Sequence, residues 1–495
     1  MFRYLSPRWR PPRGAISSVV WFFAAVSSPV AAETLAAETL AAETPRTLRV
    51  DYFHTGNASQ EIFSLDRVVV EPLPWPGNQA RPLDATNLGK YRFEVFDRKG
   101  GPALYSRGFA SIYGEWETTG EARERYRTFH ESLRFPHPAG PVEIVLSKRD
   151  AQNAFVEVWR FTVDPNDMFV DTSAAEGPPA GPELIALQDS GDPATKVDLL
   201  LLGDGYTAAE QGKFERDAKR MMEALFAVSP FAERRADFNV WGLVPAAPES
   251  GVSRPSTGIH RRSPVGTTYD AFGSERYVLT FDNRAFRQLA ARAPYEFVEI
   301  LVNNETYGGG GIFGLFGTVA VDSEFAEYVF VHEFGHHFAG LADEYYTSSV
   351  AYEIPDDPIE PWEVNATVLR DPAELKWKDL VEPGTAIPSP WPKETFESHS
   401  LAIQERRRMI RTNNRPESEM SALFREQQTA ETELLGSALL AGKVGAFEGG
   451  NYAARGTYRP QIDCIMFSRN EVPFCAVCQR GLEQVIDLYA GAASP

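Results

Sequence analysis

Residues 331–346 read VHEFGHHFAGLADEYY and bring three histidines and three acidic residues close together in the chain. On a helix, His332 and His336 lie four residues apart and stack on one face, about 6 Å apart along the axis. Two neutral imidazoles at this spacing bind one zinc ion, and Glu333 beside them takes a proton from a metal-bound water. The segment therefore predicts a helix that carries a catalytic zinc site; the alternative is a pair of histidines that only fill a core.

A catalytic zinc site needs a third protein ligand, and the chain offers Asp343 and Glu344. On a continuing helix, Asp343 would lie about 10 Å beyond His336, too far for a bond of about 2 Å to the same ion. The helix must therefore end, and Gly340 permits a left-handed break. Asp343 is then the predicted third ligand and Glu344 the alternative. His337 lies about 100° round the helix from His336, so we assign it to packing or to the support of a ligand.

The region before this helix alternates between strand-like and helical runs. A buried-strand run at residues 196–206 precedes a helical run at 207–228, where Thr207 and an acid three residues later complete a capping box. Strand, helix and strand in this order predict a mixed α/β domain. The glycine-rich residues 307–321 lack the Gly-Lys-Ser/Thr ending of a phosphate-binding loop, so we interpret them as an extended strand or lid near the site.

The first half of the chain is dominated by short strand-like runs with alternating polarity. These runs lie within residues 46–170 and predict an antiparallel β-sandwich. A linker rich in Pro, Gly and Ala follows at 171–183, and the second domain is predicted to span 184–495. An inserted helical segment at about 399–440 belongs to this second domain.

The N-terminus has the pattern of an export signal. Residues 1–32 combine four arginines, an apolar run of about twelve residues and a small-residue cleavage site, which is typical of a signal peptide. Residues 33–45 are a low-complexity spacer of AAETL repeats. We therefore expect an exported protein, secreted, periplasmic or on the cell surface, with no stable membrane insertion.

Charge and composition narrow the class of partner. The formal net charge of the 495-residue chain is −19, which disfavours nucleic acid and anionic lipid as partners. A protein or peptide substrate is compatible with it. No contiguous EF-hand loop is present in the sequence. The sequence decides neither calcium binding by other acidic clusters nor the oligomeric state.

The three cysteines lie close together near the C-terminus, at Cys464, Cys475 and Cys478. In an exported protein, one structural disulfide with one thiol left over is the favoured interpretation, with the pairing open. A redox-active Cys-x-x-Cys and a three-thiolate metal site are the alternatives. The metal site is disfavoured because the sequence shows no obvious fourth ligand nearby.

Two motifs carry a resemblance to known metallopeptidases. HEFGH followed by GLADEYY is similar to the metzincin pattern His-Glu-x-x-His-x-x-Gly-x-x-His, with one extra residue before the glycine and an aspartate in place of the last histidine. DCIMF, residues 463–467, resembles the Met-turn of those enzymes. The resemblance implies that Met466 lies beneath the zinc ligands, in a metzincin-like domain of mixed α/β structure.

A more specific resemblance is to the IgA peptidase family of zinc metalloendopeptidases. It rests on LLLGDGYT, HEFGHHFAGLADEYY, KWKDLVEPGTAIPSPW, FEGGNYAARGTYRP and DCIMFSRNEVPFCAVC in this order, and it covers most of residues 183–490. The resemblance implies one catalytic zinc ion at His332, His336 and an acidic third ligand, with Glu333 as general base.

The resulting expectation is an exported zinc metalloendopeptidase. Its fold class is α+β/α/β multi-domain, a β-sandwich followed by the zinc peptidase domain. Tyr458 is a candidate donor to the tetrahedral oxyanion, and Tyr345 and Tyr346 are others. The alternative is a surface binding or interaction protein that uses its β-domain and has a structural, non-catalytic zinc site. Glu333 separates the two, because a purely structural pair of histidines has no need of an acid beside it.

Overall fold

The computed structural model of the chain describes residues 44–175, 177–178, 180–352 and 359–491. The predicted signal peptide and all but the last two residues of the predicted spacer lie outside these residues. Among the residues described, no helix is both long and apolar enough to cross a membrane.

The N-terminal region consists of two four-stranded sheets and two short helices. Its elements are β1 (Arg46–Gly56), β2 (Glu61–Pro74), β3 (Tyr91–Asp97), β4 (Ala103–Phe109), α1 (Ile112–Trp116), α2 (Gly120–Glu124), β5 (Arg127–Pro136), β6 (Val142–Arg149), β7 (Phe155–Val163) and β8 (Val170–Asp171). One sheet has the order β5-β1-β2-β8 and the other β4-β3-β6-β7. All pairs are antiparallel except β2 with β8.

Alternating side chains from both sheets form one apolar core. In β5, every second residue from Phe129 onward is buried, as expected for strands with one face in a core. Leu133 of β5, Val50 of β1 and Ile144 of β6 belong to the same buried cluster, so the core receives side chains from each sheet. This core forms because the apolar period of two in these strands gives each sheet one face to bury.

The second region alternates strands and helices around a six-stranded sheet. Its elements are β9 (Ile185–Gln188), β10 (Val197–Asp204), α3 (Gln211–Leu225), β11 (Phe238–Leu243), β12 (Thr267–Thr268), β13 (Leu279–Thr280), α4 (Asn283–Ala290), β14 (Phe297–Val302), β15 (Gly309–Ile312), β16 (Phe316–Ala320), α5 (Ala326–Ala339), α6 (Lys393–Thr412), α7 (Glu417–Gly436), β17 (Phe447–Gly450), β18 (Ala453–Arg459) and α8 (Ala476–Tyr489). The sequence predicts a region of sheets followed by a mixed α/β region, and the structure confirms this order.

The large sheet has four parallel strands at its centre and antiparallel strands at its edges. Its order is β15-β16-β14-β10-β11-β9, with β15 and β9 antiparallel to their neighbours. Every residue of β10 is buried, as its continuous apolar run predicts. The capping box of Thr207 and Glu210 is present and starts the helical run that becomes α3.

The two regions share a second apolar core. Tyr113 and Trp116 of α1 belong to the same buried cluster as β10, α3 and α5. The backbone N–H of Ala110 donates to the carbonyl of Phe313 at 2.8 Å. The Arg134 side chain donates to the carbonyl of Tyr295 at 3.0 Å. The N-terminal region is thus packed into the second region from residue 44 onward.

Asp204, at the end of β10, fixes the loop that precedes β12. Its carboxylate is buried and accepts hydrogen bonds from the backbone N–H groups of Val265 (3.1 Å) and Thr267 (2.9 Å). It also accepts from the hydroxyls of Ser263 (2.7 Å) and Thr267 (2.5 Å). A buried carboxylate is stable here because four donors replace its hydration.

Replacing Asp204 by Ala is expected to lower the free energy of unfolding by about 3 kcal/mol, because two buried N–H groups lose their acceptor. Urea denaturation followed by tryptophan fluorescence measures the change. The matched control is Asp379→Ala, since Asp379 is exposed and should change stability by less than about 0.5 kcal/mol. Equal stability losses in the two variants would contradict the anchoring role of Asp204.

Candidate metal centre

Helix α5 presents the two histidines of the HEFGH motif on one face. It runs from Ala326 to Ala339. The Nε2 atoms of His332 and His336 lie 3.1 Å apart. This convergence follows from the spacing of four residues, which brings the two side chains into register one turn apart.

The helix ends at Gly340, where the chain reverses. Gly340 has φ 57° and ψ 38°, the left-handed conformation that glycine adopts without strain. A Cβ at this position would lie 2.6 Å from the ring of Trp362, so the space also requires glycine. The break predicted from the sequence is therefore present at this residue.

The reversed chain carries Asp343 back to the histidines. Its Oδ1 atom lies 2.9 Å from Nε2 of His332 and 3.2 Å from Nε2 of His336. Ligands of a tetrahedral zinc ion, with bonds of about 2.0–2.1 Å, lie about 3.3 Å from one another. The three donor atoms thus have the spacing and the chemistry that fit a zinc ion.

Each of the three side chains is oriented by a further hydrogen bond. Nδ1 of His332 lies 3.0 Å from the carbonyl of Ile465, and Nδ1 of His336 lies 2.5 Å from the carbonyl of Leu341. A carbonyl only accepts, so each Nδ1 carries the proton and each Nε2 keeps its lone pair for a metal. The hydroxyl of Tyr452 donates to Oδ2 of Asp343 at 2.6 Å, which leaves Oδ1 directed at the histidines.

Met466 packs against the helix that bears the two histidines. Its side chain is fully buried, and a Cβ added to Gly335 on α5 would lie 3.0 Å from its sulfur. Its backbone carbonyl accepts from the N–H of Glu344 at 2.8 Å. The segment around Met466 therefore contacts both the helix and the reversed chain that bears Asp343.

The electrostatics of the cluster favour positive charge between the three side chains. Burial raises the pKa of Asp343, but the two histidines outweigh it and hold that pKa well below its ordinary value. Burial lowers the pKa of His336, yet the Asp343 carboxylate raises it to about 9. The field that favours a proton on His336 equally favours a cation bound to Nε2 and Oδ1.

Glu333 faces a cavity of about 480 Å³ beside the cluster. No side chain within the described residues donates a hydrogen bond to its carboxylate. Burial raises the pKa of Glu333, and the nearby histidines oppose this rise. A half-buried carboxylate with a raised pKa and free oxygens is suited to accept and return a proton.

Both regions of the chain form the wall of this cavity. The N-terminal region contributes Lys90, Glu115 and Arg149, and the second region contributes α5 and the glycines of β15. Gly311 is required there, because a Cβ would lie 2.4 Å from the carbonyl oxygen of Glu333. The glycine-rich segment is thus an edge strand that passes close to α5, as part of the cavity wall.

Among the predicted tyrosines, the structure brings only Tyr345 to the cavity. Tyr458 lies on β18 and contributes nothing to the cavity wall, and Tyr346 packs against Phe396 and Gly449. Arg276, which the sequence analysis missed, donates to the Tyr345 hydroxyl at 3.1 Å. The Tyr345 hydroxyl also interacts with the Asp343 carboxylate, and burial, together with this contact, raises the pKa of Tyr345.

Three supporting residues were missed because they come from distant parts of the chain. Arg276 and Tyr452 reach the site from segments on either side of α5. Asn365 is buried, and its side-chain amide both donates to and accepts from the backbone of Ala342, at 2.9 and 2.8 Å. Only the quoted motif FEGGNYAARGTYRP contained a usable signal, and it contains Tyr452 as well as Tyr458.

His337 turns away from the cluster into the sheet. It is fully buried, and its Nδ1 lies 2.7 Å from Oε1 of Glu299 on β14. Burial lowers the pKa of His337 to about 3 and raises the pKa of Glu299, so the pair is neutral, with the carboxyl proton donated to the ring. His337 is therefore a packing residue between α5 and β14.

Glu344, the alternative third ligand, also points away from the histidines. Its Oε1 atom lies 3.4 Å from the sulfur of Cys478, and it accepts a hydrogen bond from the Asn365 amide at 2.9 Å. The geometry thus favours Asp343 as the third ligand. The predicted disulfide is not present, since all three cysteines are free thiols and Cys464 and Cys478 have sulfurs 3.9 Å apart.

Two family matches cover most of the chain. The family described as IgA Peptidase M64 matches residues 185–486, and the family described as Peptidase M64 N-terminus matches residues 41–160. No curated protein matches the chain significantly.

Replacing Tyr452 by Phe is expected to weaken zinc binding at the histidine cluster by about tenfold, because Asp343 loses the hydrogen bond that orients it. Competition with a chromogenic chelator measures the affinity. Tyr458→Phe is the matched control, since it removes the same hydroxyl outside the cavity and should leave the affinity unchanged. An affinity in Tyr452→Phe equal to that of the parent protein would contradict the role of this hydrogen bond.

Proposed function

Because the chain belongs to the IgA peptidase M64 family and is a peptidase, we propose that it is an exported zinc metalloendopeptidase. We also propose that the second region has a metzincin-like arrangement and that the first region is a β-sandwich. The single observation that carries it is the convergence of two Nε2 atoms and one carboxylate oxygen within 3.2 Å, at a cavity that Glu333 faces.

The donor set supports a catalytic rather than a structural metal ion. His332, His336 and Asp343 supply three protein ligands, and catalytic zinc sites use three and leave one position for water or substrate. A zinc ion held there would polarise the scissile carbonyl and lower the pKa of an attacking water towards about 7. The alternative, a surface binding protein with a structural zinc ion, gives Glu333 no role.

Glu333 is the proposed general base. It follows the first ligand directly, and its carboxylate has no competing hydrogen bond among the described residues. It would take a proton from the attacking water and return that proton to the leaving amine. Its raised pKa supports the second half of this cycle, because a carboxyl group that holds its proton more firmly is a better match to the leaving group.

Tyr345 is the proposed donor to the tetrahedral oxyanion. Burial raises the pKa of its hydroxyl, so the proton is retained, and Arg276 donates to the hydroxyl oxygen and polarises the O–H bond. A donor fixed before the reaction stabilises charge that develops only in the transition state. Tyr345 therefore takes the role that the sequence suggested first for Tyr458.

The substrate is proposed to be a protein segment in extended conformation. The cavity is bounded by the edge strand β15 and by the N-terminal region, so a peptide would contact both. The net charge of −19 supports protein rather than nucleic acid or anionic lipid as the partner. The family name does not establish immunoglobulin A as this chain's substrate, because specificity depends on the side chains of the cavity.

Replacing Glu333 by Gln is expected to lower kcat/KM about 10³-fold with zinc still bound, because amide oxygens cannot take the proton from water. Cleavage of a diverse peptide library, followed by mass spectrometry, measures activity, and zinc content is recorded on the same samples. Glu327→Gln is the control, since Glu327 lies exposed on the same helix. Cleavage by the Glu333 variant at the parental rate would refute the assignment.

Replacing Tyr345 by Phe is expected to lower kcat about 10²-fold and to change KM less than about threefold, because the lost hydrogen bond forms only in the transition state. Steady-state kinetics on the best peptide from the library measures both constants, with Tyr458→Phe as the control. A change confined to KM would show that Tyr345 binds substrate and does not stabilise the oxyanion.

A further inference from the structure

Four buried side chains next to the histidine cluster form a second set of metal-ligand donors. They are Glu344, Cys464, Cys475 and Cys478, and one donor atom from each lies within 4.8 Å of all the others. All four residues are buried, and the proposed peptidase mechanism uses none of them.

Three separate segments bring these donors together. Glu344 lies on the reversed chain after α5, and Cys464 lies two residues before Met466. Cys475 is the N-cap of α8, and Cys478 lies in the first turn of that helix. The cluster therefore joins the ligand-bearing turn, the Met466 segment and the C-terminal helix at one point.

The distances fit tetrahedral coordination by thiolates and one carboxylate. The sulfurs of Cys464 and Cys478 are 3.9 Å apart, and the Glu344 Oε1 atom lies 3.4 Å from Cys478 and 3.9 Å from Cys475. With Zn–S bonds of about 2.3 Å and Zn–O bonds of about 2.0–2.2 Å, tetrahedral geometry places two sulfurs about 3.8 Å apart and sulfur and oxygen about 3.6 Å apart. A disulfide would require about 2.05 Å between two sulfurs.

The backbone around the cluster is arranged as in thiolate sites. The N–H of Cys475 donates to the sulfur of Cys464 at 3.2 Å, and the N–H of Cys478 donates to the sulfur of Cys475 at 3.4 Å. The N-terminal end of α8 adds a favourable dipole for negative sulfur. These backbone donors are placed to stabilise negative charge on the sulfurs of Cys464 and Cys475 when a cation is bound.

One oxygen of the Glu344 carboxylate lacks a polar partner among the described residues. Its Oε2 atom is buried and has no hydrogen-bond partner within the described residues. The charge of the buried Arg459 acts on Glu344, but its guanidinium donates to the carbonyls of Gly449 and Ile462, at 2.7 and 3.0 Å. A buried carboxylate in contact with two thiols, and without an ion pair among the described residues, is costly unless a cation joins the group.

We propose that Glu344, Cys464, Cys475 and Cys478 bind a second zinc ion in a closed, structural site. Three soft thiolate ligands select zinc over magnesium or calcium. Four protein ligands fill a tetrahedral shell and leave no position for substrate, which is the mark of a structural site. Glu344 is thus the fourth ligand that a three-thiolate site requires.

The second ion would fix the position of Asp343. Asp343 and Glu344 are consecutive, and their carboxylates contact different clusters. A zinc ion on Glu344 would tie the turn to α8 and to the Met466 segment, so the neighbouring carboxylate would be held against the histidines. Zinc would therefore be required to hold this turn in place as well as for the reaction.

The test counts zinc ions in the full-length mature protein by inductively coupled plasma mass spectrometry. We expect two zinc ions per chain in the parent and one in both His336→Ala and Cys478→Ser. Zinc X-ray absorption of the His336→Ala protein should show sulfur ligands, and its cobalt form should show thiolate charge-transfer absorption. If Cys478→Ser does not fold, Glu344→Gln replaces it, and the parent and His336→Ala already decide the outcome.

Three results would overturn the proposal. The first is one zinc ion in the parent and none in His336→Ala, and the second is an absence of sulfur from the zinc ligands of His336→Ala. The third is an intact mass lower by two hydrogens under non-reducing conditions, which would show a disulfide. None of these results bears on peptide cleavage, so the peptidase proposal stands or falls separately on Glu333→Gln.

Discussion

The reversal of the chain at Gly340 is the constraint on which the site depends. A helix that continued past Gly340 would carry the acidic pair away from the histidines at 1.5 Å per residue. The left-handed residue turns the chain back instead, and the contact with Trp362 leaves no space for a side chain. The carbonyl of Leu341, exposed by this reversal, orients His336, so the same turn supplies one ligand and aligns another.

The reversed segment has no regular secondary structure, so its backbone groups need other partners. The Asn365 side chain makes two hydrogen bonds to the backbone of Ala342, and the carbonyl of Met466 accepts from the N–H of Glu344. The neighbouring carbonyl of Ile465 meanwhile orients His332. A short buried stretch around Met466 thus contacts both the helix and the turn.

Sequence reasoning reached those features of the site that depend on local spacing. The helix with His332 and His336, its end at Gly340 and the capping box before α3 all follow from residues close together in the chain. Arg276, Asn365 and Tyr452 could not be found in this way, because they reach the site from other elements. The sequence shows that the three cysteines lie close together in the chain. It does not show the absence of a disulfide, because that depends on the Glu344 carboxylate, which lies among the three sulfurs in the fold.

The neighbouring acids Asp343 and Glu344 lie in different electrostatic surroundings. The histidines beside Asp343 lower the pKa of its carboxyl, whereas burial among thiols raises the pKa of Glu344. Consecutive carboxylates in opposite fields are therefore not equivalent alternatives for one ion. One already has partners that keep it ionised, and the other needs a cation to do so. The two proposed zinc ions would satisfy both requirements, and the shared turn would then couple the packing of α8 to the geometry of the histidine cluster.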